Sequence, residues 1–113
     1  MTVTIFHNPK CGTSRNALAL LHERGIEPTV VEYLKTGWDR ATLLRLAAET
    51  GGGVRGLLRG REDAAKAMLA GSADDETILS AMIASPVLVE RPIVETDKGA
   101  RIARPIERVL DIL

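Results

Sequence analysis

The chain has little of what builds disulfide-linked, zinc-binding or membrane-spanning proteins. Its 113 residues include one cysteine, which excludes an internal disulfide and a cysteine-rich zinc site. No apolar run approaches the roughly 20 residues that span a bilayer. Only 3% of the residues are aromatic, and neither an aromatic RNA-binding motif nor a basic run is present. We therefore expect one domain, without metal, that binds neither a membrane nor nucleic acid.

Neither sign of charge predominates, because 15 basic side chains balance 15 acidic ones. The hydrophobic fraction of 45% is enough for a modest core. Only four of the basic residues are lysine, and arginine binds oxyanions in a better geometry, although genome composition also produces such an excess. A free thiol and the lack of a leader at the start predict a cytoplasmic protein, which we expect to be a monomer.

The single cysteine, Cys11, stands where a predicted strand passes into a predicted helix. Unpaired first-turn N–H groups and the helix dipole favour a thiolate there, and His7 and Arg15 are expected to add positive charge. We therefore predict a depressed pKa for Cys11 and a role as nucleophile. A free cysteine is often only a small buried hydrophobe. Its polar and glycine neighbours, however, fit an anion-binding loop better than a core.

Residues 7–16 read HNPKCGTSRN. This segment resembles the active-site segment of the glutaredoxin-linked arsenate reductase (ArsC) family, whose fold is thioredoxin-like. The resemblance implies that four loop residues contribute to oxyanion binding, namely Gly12, Thr13, Ser14 and Arg15. It covers nearly the whole chain, but longer members continue with a polar tail, so a chain ending at Leu113 is expected to represent a compact form.

Hydrophobic periodicity predicts the order β-α-β, a helical stretch, and then β-β-α. The first half is a parallel βαβ unit with strands at 2–6 and 29–34 around a helix at about 13–24. The second half is a hairpin with strands at 93–96 and 101–103, joined by a turn at 97–99 in which Gly99 can adopt a positive φ. A helix follows from Pro105, with Ile106, Val109, Leu110 and Leu113 on its apolar face.

Between these halves lie helices predicted at 40–50, with Asp39 as N-cap, at 62–70, and from Asp74 or Asp75 to about 84. The last of these has Ile78, Leu79, Met82 and Ile83 on its apolar face. The fold class is therefore α/β, a thioredoxin-like mixed four-stranded sheet flanked by helices. Residues 1–113 form a single domain with a helical insertion at about 35–86 between the second and third strands.

A thiolate that attacks an arsenate-like anion meets charge repulsion, which guanidinium groups reduce. The resemblance selects three such groups, Arg59, Arg91 and Arg104, which spacing alone does not distinguish from solvated surface arginines. Pro92 resembles the cis-proline that thioredoxin-like folds place opposite the active-site loop. A cis bond is otherwise uncommon even before proline.

Three loop side chains keep two interpretations each. His7 either orients the loop or favours the thiolate electrostatically, which makes it a candidate catalytic residue beside Cys11, and a structural role at the end of the strand is the alternative. Ser14 either hydrogen-bonds the thiolate or caps the helix. Arg15 contacts either the anion or a carboxylate of glutathione.

The resemblance implies that Cys11 attacks arsenate, that glutathione attacks the thioarsenate adduct, and that glutaredoxin resolves it with release of arsenite. It thus implies arsenical resistance, arsenate or a similar oxyanion as substrate, glutathione as co-substrate and no bound cofactor. The residues support one step on their own, because a chain with one cysteine needs an external thiol to resolve its intermediate.

Two alternatives keep the fold but change the function. One is an Spx-like regulatory or binding protein, although typical redox-sensing members carry Cys-x-x-Cys where this chain has Ser14. The other is a paralogue with weak or no activity on arsenate.

Overall fold

A computed structural model describes residues 2–113 of the chain. These residues form two compact units, one of residues 2–36 and 91–113 and the other of residues 37–90. The second unit corresponds to the helical insertion predicted at about 35–86, with somewhat later bounds. That the whole chain acts as one domain stays a prediction.

The first unit contains a mixed four-stranded sheet with the strand order β2-β1-β3-β4. Its strands are β1 (Thr4–Phe6), β2 (Thr29–Val31), β3 (Ile93–Thr96) and β4 (Gly99–Ile102). Helix α1 (Gly12–Glu23) joins the parallel pair β1 and β2, while β3 is antiparallel to both β1 and β4. This topology confirms the predicted α/β, thioredoxin-like sheet.

Strand register determines which loops meet. Phe6, at the end of β1, pairs with Ile93, at the start of β3, and Ile93 pairs in turn with Ile102, at the end of β4. The segments after β1, before β3 and after β4 therefore lie at one edge of the sheet. The candidate site occupies this edge.

One face of the sheet is covered by α1 and by a C-terminal 3₁₀ segment, Ile106–Ile112. Ile5, Leu21 and Val94 are fully buried in the core between them. Burial of side chains of this size contributes about 1.5–3 kcal/mol each. The core holds β1 and α1 together and so fixes the loop that joins them.

The C-terminal segment is not the α-helix that periodicity predicts. Its first hydrogen bond runs three residues back, from the Arg108 N–H to the carbonyl of Pro105, at 3.1 Å. Three residues per turn place Ile106, Val109 and Ile112 on one face. Leu110, predicted for the apolar face, is exposed.

Strand β2 is shorter than predicted, because the chain leaves the sheet after Val31. The carbonyl of Glu32 accepts hydrogen bonds from the N–H groups of Lys35 and Thr36, which start the short helix α2 (Tyr33–Thr36). β2 is therefore an edge strand that ends in a helical turn. Tyr33 is buried there, with 1% of its surface exposed.

The second unit is helical. Its elements are α3 (Arg40–Thr50), α4 (Gly53–Gly56), α5 (Asp63–Ala70), α6 (Asp75–Ala84) and a 3₁₀ turn, Pro86–Leu88. Asp39 and Asp74 cap α3 and α6 by accepting the N–H groups of Thr42 at 2.7 Å and Thr77 at 2.8 Å, which confirms Asp39 as the predicted N-cap. Ile83, predicted for the apolar face of α6, is 40% exposed.

A short antiparallel pairing closes this unit. Leu58 and Val89 form a β-bridge, flanked by hydrogen bonds from Arg59 N–H to Leu88 O and from Glu90 N–H to Leu57 O, both at 2.7 Å. Across residues 2–113, no helix is long and apolar enough to cross a membrane.

Candidate active site

Cys11 is the N-cap residue of α1, with an extended backbone conformation. Its N–H donates to the Asn8 carbonyl, and its own carbonyl accepts from the Arg15 N–H, both at 3.0 Å. The N–H groups of Thr13 and Ser14 lower the pKa of its thiol, although the sulfur makes no capping hydrogen bond to the helix. These two groups belong to the first turn of the helix, where backbone donors have no partner within the helix.

Two guanidinium groups reach the same sulfur. Arg104 follows β4 and donates from Nη2 to Cys11 Sγ at 3.6 Å. Arg91 precedes β3 and also donates a side-chain hydrogen bond to Cys11. The two arginines are linked, because Arg104 Nε donates to the backbone carbonyl of Arg91 at 2.6 Å. The register described above is what brings these two segments to the sulfur.

The surroundings of Cys11 favour its ionised form. Burial raises the pKa of the thiol, but the Ser14 N–H, the Arg91 guanidinium and the Thr13 N–H lower it further than burial raises it. The pKa of Cys11 therefore lies below its ordinary value, as the sequence predicts. A thiolate is the nucleophilic form of cysteine.

His7 is buried, and its Nδ1 lies 2.6 Å from Ser14 Oγ. Burial is the main cause that lowers the pKa of His7; Glu32 opposes it and Arg15 adds to it. This shift favours the neutral imidazole over the charged one, and the electrostatic role expected of His7 stays a prediction. Its contact with Ser14 supports the other interpretation, in which His7 orients the loop.

The hydroxyl of Ser14 contacts His7 and Asn8, and its predicted roles at the thiolate or as a helix cap stay predictions. Ser14 is fully buried on the face of α1 that also buries Ala17 and Leu21, and its Oγ accepts the Asn8 N–H at 3.0 Å. The backbone N–H of Ser14 is one of the groups that lower the pKa of Cys11.

Arg15 closes the loop from the solvent side by donating from Nη1 to the Pro9 carbonyl at 2.9 Å. Gly12 is exposed at the first position of α1. Contacts of Arg15 or Gly12 with an anion, or of Arg15 with glutathione, stay predictions.

Both site arginines precede a cis peptide bond, Arg91–Pro92 and Arg104–Pro105. The cis conformation at Pro92 agrees with its resemblance to the cis-proline of thioredoxin-like folds. Pro105 was expected to begin a helix, and nothing in the sequence distinguished its bond as cis. The Pro92 carbonyl accepts the Ala103 N–H at 2.9 Å, which ties the two arginine segments together.

Arg59 belongs to the helical unit, where it is buried. Its Nη1 donates to Glu90 Oε1 at 2.8 Å, and its Nε lies 3.6 Å from Glu62 Oε1. The role in anion binding that the resemblance implies for Arg59 stays a prediction.

Sequence reasoning missed Tyr33. Its buried phenol interacts electrostatically with the guanidinium of Arg91, the same group that acts on Cys11. A tyrosine within an apolar strand pattern carries no signal that separates this role from ordinary core packing. Only the end of β2 at Val31 places it beside the site.

The site therefore offers a thiolate, two cations and helix N–H groups. In residues 2–113, no three histidine, cysteine, aspartate or glutamate side chains come together as metal ligands would. The chemistry that these groups favour is attack of sulfur on a bound oxyanion.

Comparison with known proteins agrees with this geometry. The model of the ArsC family matches residues 6–112. An arsenate reductase of Rhizobium meliloti (strain 1021) is 50% identical over 115 residues, covering 100% of this chain and 82% of the relative, and one of Escherichia coli is 45% identical over 98% of this chain and 80% of the relative. A solved arsenate reductase from Vibrio cholerae superposes with a TM-score of 0.93 at 44% identity, covering 100% of this chain and 98% of that one. The chain belongs to the ArsC family.

Proposed function

We propose that this chain is an arsenate reductase with Cys11 as its nucleophile. The observation that carries the proposal is the position of Cys11 Sγ, held by the guanidinium groups of Arg91 and Arg104 at the N-terminus of α1. Family relatives that are named arsenate reductases support it.

In the first step, the two guanidinium groups and the N–H groups of Thr13 and Ser14 offset the charge of the bound arsenate. The Cys11 thiolate attacks arsenic, a sulfur–arsenic bond forms, and one protonated arsenate oxygen leaves as water. Arsenic stays pentavalent in this adduct. The charge that develops on its oxygens faces donors already in position, which lowers the barrier.

Reduction needs two further thiols. The first replaces a second hydroxyl of the adduct, which leaves as water. The second thiol attacks the sulfur of the first, which is now bound to arsenic, and the two sulfurs form a disulfide. The electron pair of the broken arsenic–sulfur bond stays on arsenic, which becomes trivalent. Water then cleaves the remaining bond to Cys11 and releases arsenite. Overall, one arsenate and two thiols give one arsenite, one disulfide and one water.

Both of these thiols come from outside the chain, because Cys11 is its only cysteine. We assign the first to glutathione and the second to glutaredoxin, acting on a monomer of this chain in the cytoplasm. A reducing compartment keeps the lone thiol free for attack.

The test is arsenite production from arsenate with glutathione and glutaredoxin. We expect turnover by the wild type and none by Cys11→Ser, whose hydroxyl is not ionised at neutral pH. Arg91→Gln and Arg104→Gln should each reduce kcat/KM by about 10²–10³-fold, the usual effect of removing one such donor. Wild-type protein without activity, or a Cys11→Ser variant that retains it, would contradict the proposal.

A further inference from the structure

A cleft of about 220 Å³ opens beside the active-site loop, on the side where β2 ends. One wall is formed by residues 7–10, which lead directly into Cys11. The other wall is formed by Glu32, Leu34 and Lys35, which follow β2. The arsenate chemistry described above uses none of the side chains at its rim.

The floor of the cleft is held in place before any ligand arrives. His7 and Asn8 are 5% and 6% exposed. The His7 N–H donates to the Val31 carbonyl at 2.8 Å, and Asn8 Oδ1 accepts the Lys10 N–H at 3.0 Å. A ligand that binds here therefore does not need to order the backbone. Binding to a preformed site thus avoids the conformational entropy that ordering would cost.

The rim carries two ammonium groups and one carboxylate. Lys10 is exposed, and the Lys35 side chain is 77% exposed with its Nζ 3.4 Å from Glu32 Oε1. Leu34, 45% exposed, gives the same rim an apolar surface. Such a rim fits a small molecule that carries two carboxylates and one ammonium group.

The residues that line the cleft include neither Cys11 nor the two arginines. In the order β2-β1-β3-β4, the cleft lies on the β2 side of the loop that follows β1. Arg91 and Arg104 come from β3 and β4 on the other side. An anion bound by the arginines thus leaves the cleft open for a second reactant.

We propose that the cleft binds the peptide body of a γ-glutamyl tripeptide thiol such as glutathione, with its two carboxylates at Lys10 and Lys35 and its ammonium group at Glu32. This inference rests on the proposed function and identifies where its first external thiol is seated. The thiol of such a ligand replaces a hydroxyl on the arsenic of the Cys11 adduct, with loss of water as described above. Leu34 packs against the methylene groups of the γ-glutamyl arm.

Binding is measured without any chemistry, using S-methylglutathione and the Cys11→Ser protein. Neither the blocked thiol nor the serine hydroxyl reacts, so the result does not depend on arsenate turnover. We expect amide NMR shifts centred on residues 7–10 and 32–35. The variant Lys10→Ala/Lys35→Ala should bind about tenfold more weakly, since each surface charge contact contributes up to ~1 kcal/mol.

Lys66→Ala is the matched control, because Lys66 is an exposed lysine of α5 in the other unit. It should leave the affinity within about twofold of the parent, as expected for a lysine that touches no ligand. Raising the salt concentration should weaken binding to the parent more than binding to the double variant, because exposed charges are screened.

Four outcomes would overturn the inference. Three are no binding by the parent, shifts centred on Arg91 and Arg104, and equal affinity of the parent and the double variant. The fourth assigns the cleft to the protein carrier: Lys10→Ala/Lys35→Ala leaves the affinity for S-methylglutathione unchanged, but the same two substitutions in the protein that keeps Cys11 raise the KM for glutaredoxin. Arsenate turnover is scored separately, so tripeptide binding without arsenite production would refute only the proposed function.

Discussion

At the scale of single residues, the site shows how a lone thiol is converted into a nucleophile. Two N–H groups of one helical turn and the guanidinium of Arg91 act on one sulfur atom, and they outweigh the effect of its burial. Arg104 adds a second cation at 3.6 Å. The reactivity of Cys11 is therefore a property of three chain segments rather than of the cysteine loop alone.

The pH dependence of alkylation tests this view of Cys11. We expect the rate with iodoacetamide to reach its plateau at a lower pH than that of a free cysteine in a short peptide, because the folded protein lowers the pKa. Arg91→Gln should move the curve to higher pH by removing one stabilising cation. A wild-type curve that coincides with that of the peptide would contradict the arrangement.

Tyr33 is expected to act on Cys11 through Arg91. Tyr33→Phe keeps the buried ring but removes the hydroxyl that interacts with the guanidinium. We expect the pKa of Cys11 to rise and the KM for arsenate to increase by about three- to tenfold, the usual net value of one polar interaction.

The control for Tyr33→Phe is Thr96→Val at the opposite end of β3, which removes the buried hydrogen bond from Thr96 Oγ1 to the Ile112 carbonyl at 2.7 Å without changing side-chain size. It should lower the free energy of unfolding by about 1 kcal/mol and leave the pKa of Cys11 unchanged. Equal effects of both substitutions on alkylation would make Tyr33 a merely structural residue.

The sequence predicts the residues of the site better than their contacts. Cys11 follows from loop chemistry, and Arg91 and Arg104 follow only from family resemblance. The direction of Ser14 Oγ toward His7 does not follow from either, because it depends on which face of α1 is buried. Tyr33 is invisible for the same reason, since its function depends on a neighbour 58 positions away in sequence.

At the scale of elements, the sequence predicts turns and helix ends well, because single residues determine them. Gly99 gives the turn between β3 and β4, and Asp39 gives the start of α3. The length of β2 and the helix type of the C-terminal segment differ from prediction because tertiary packing determines them. Burial of Tyr33 and a three-residue turn around Val109 outweigh the propensities of those stretches.

The capping of α6 gives a prediction at this scale. Asp74 Oδ1 accepts the Thr77 N–H, and this bond lowers the pKa of Asp74. Because the folded state favours the charged carboxylate, its stabilising contribution is complete above the unfolded pKa and is lost as pH falls through the lowered folded pKa. Asp74→Ala should therefore reduce Tm at pH 7 and reduce it less in acid.

Asp75→Ala is the matched control for that prediction. Asp75 is the first residue of α6, adjacent to Asp74, and has the same charge without the capping position. It should change Tm less than Asp74→Ala at pH 7. The capping explanation fails if thermal unfolding gives the two variants equal Tm values.

At the scale of whole units, Arg59 and Glu90 hold the helical unit closed. Their ion pair of 2.8 Å links residues 31 positions apart, and their side chains are 9% and 20% exposed. Glu90→Gln removes the nearer of the two carboxylates that face the buried Arg59 guanidinium, so we expect the free energy of unfolding to fall by about 2 kcal/mol. Urea denaturation measures this change.

Glu62→Gln provides the comparison, because Glu62 is more exposed and lies 3.6 Å from Arg59 Nε. We expect it to cost less than about 1 kcal/mol, as for a surface ion pair. If both variants unfold at the same urea concentration, the Glu90 pair does not hold the unit closed.

The hairpin between β3 and β4 has a consequence for how this family can vary in length. Arg104 reaches Cys11 only because Ile93 pairs with Ile102, and the turn at the far end of the hairpin sets that pairing. If one residue inserted beside Lys98 is drawn into the ladder, β4 shifts by a position and its side chains turn to the opposite face of the sheet. Insertions are therefore tolerated at this exposed turn where a longer loop or a bulge takes up the added residues and leaves Ile93 paired with Ile102.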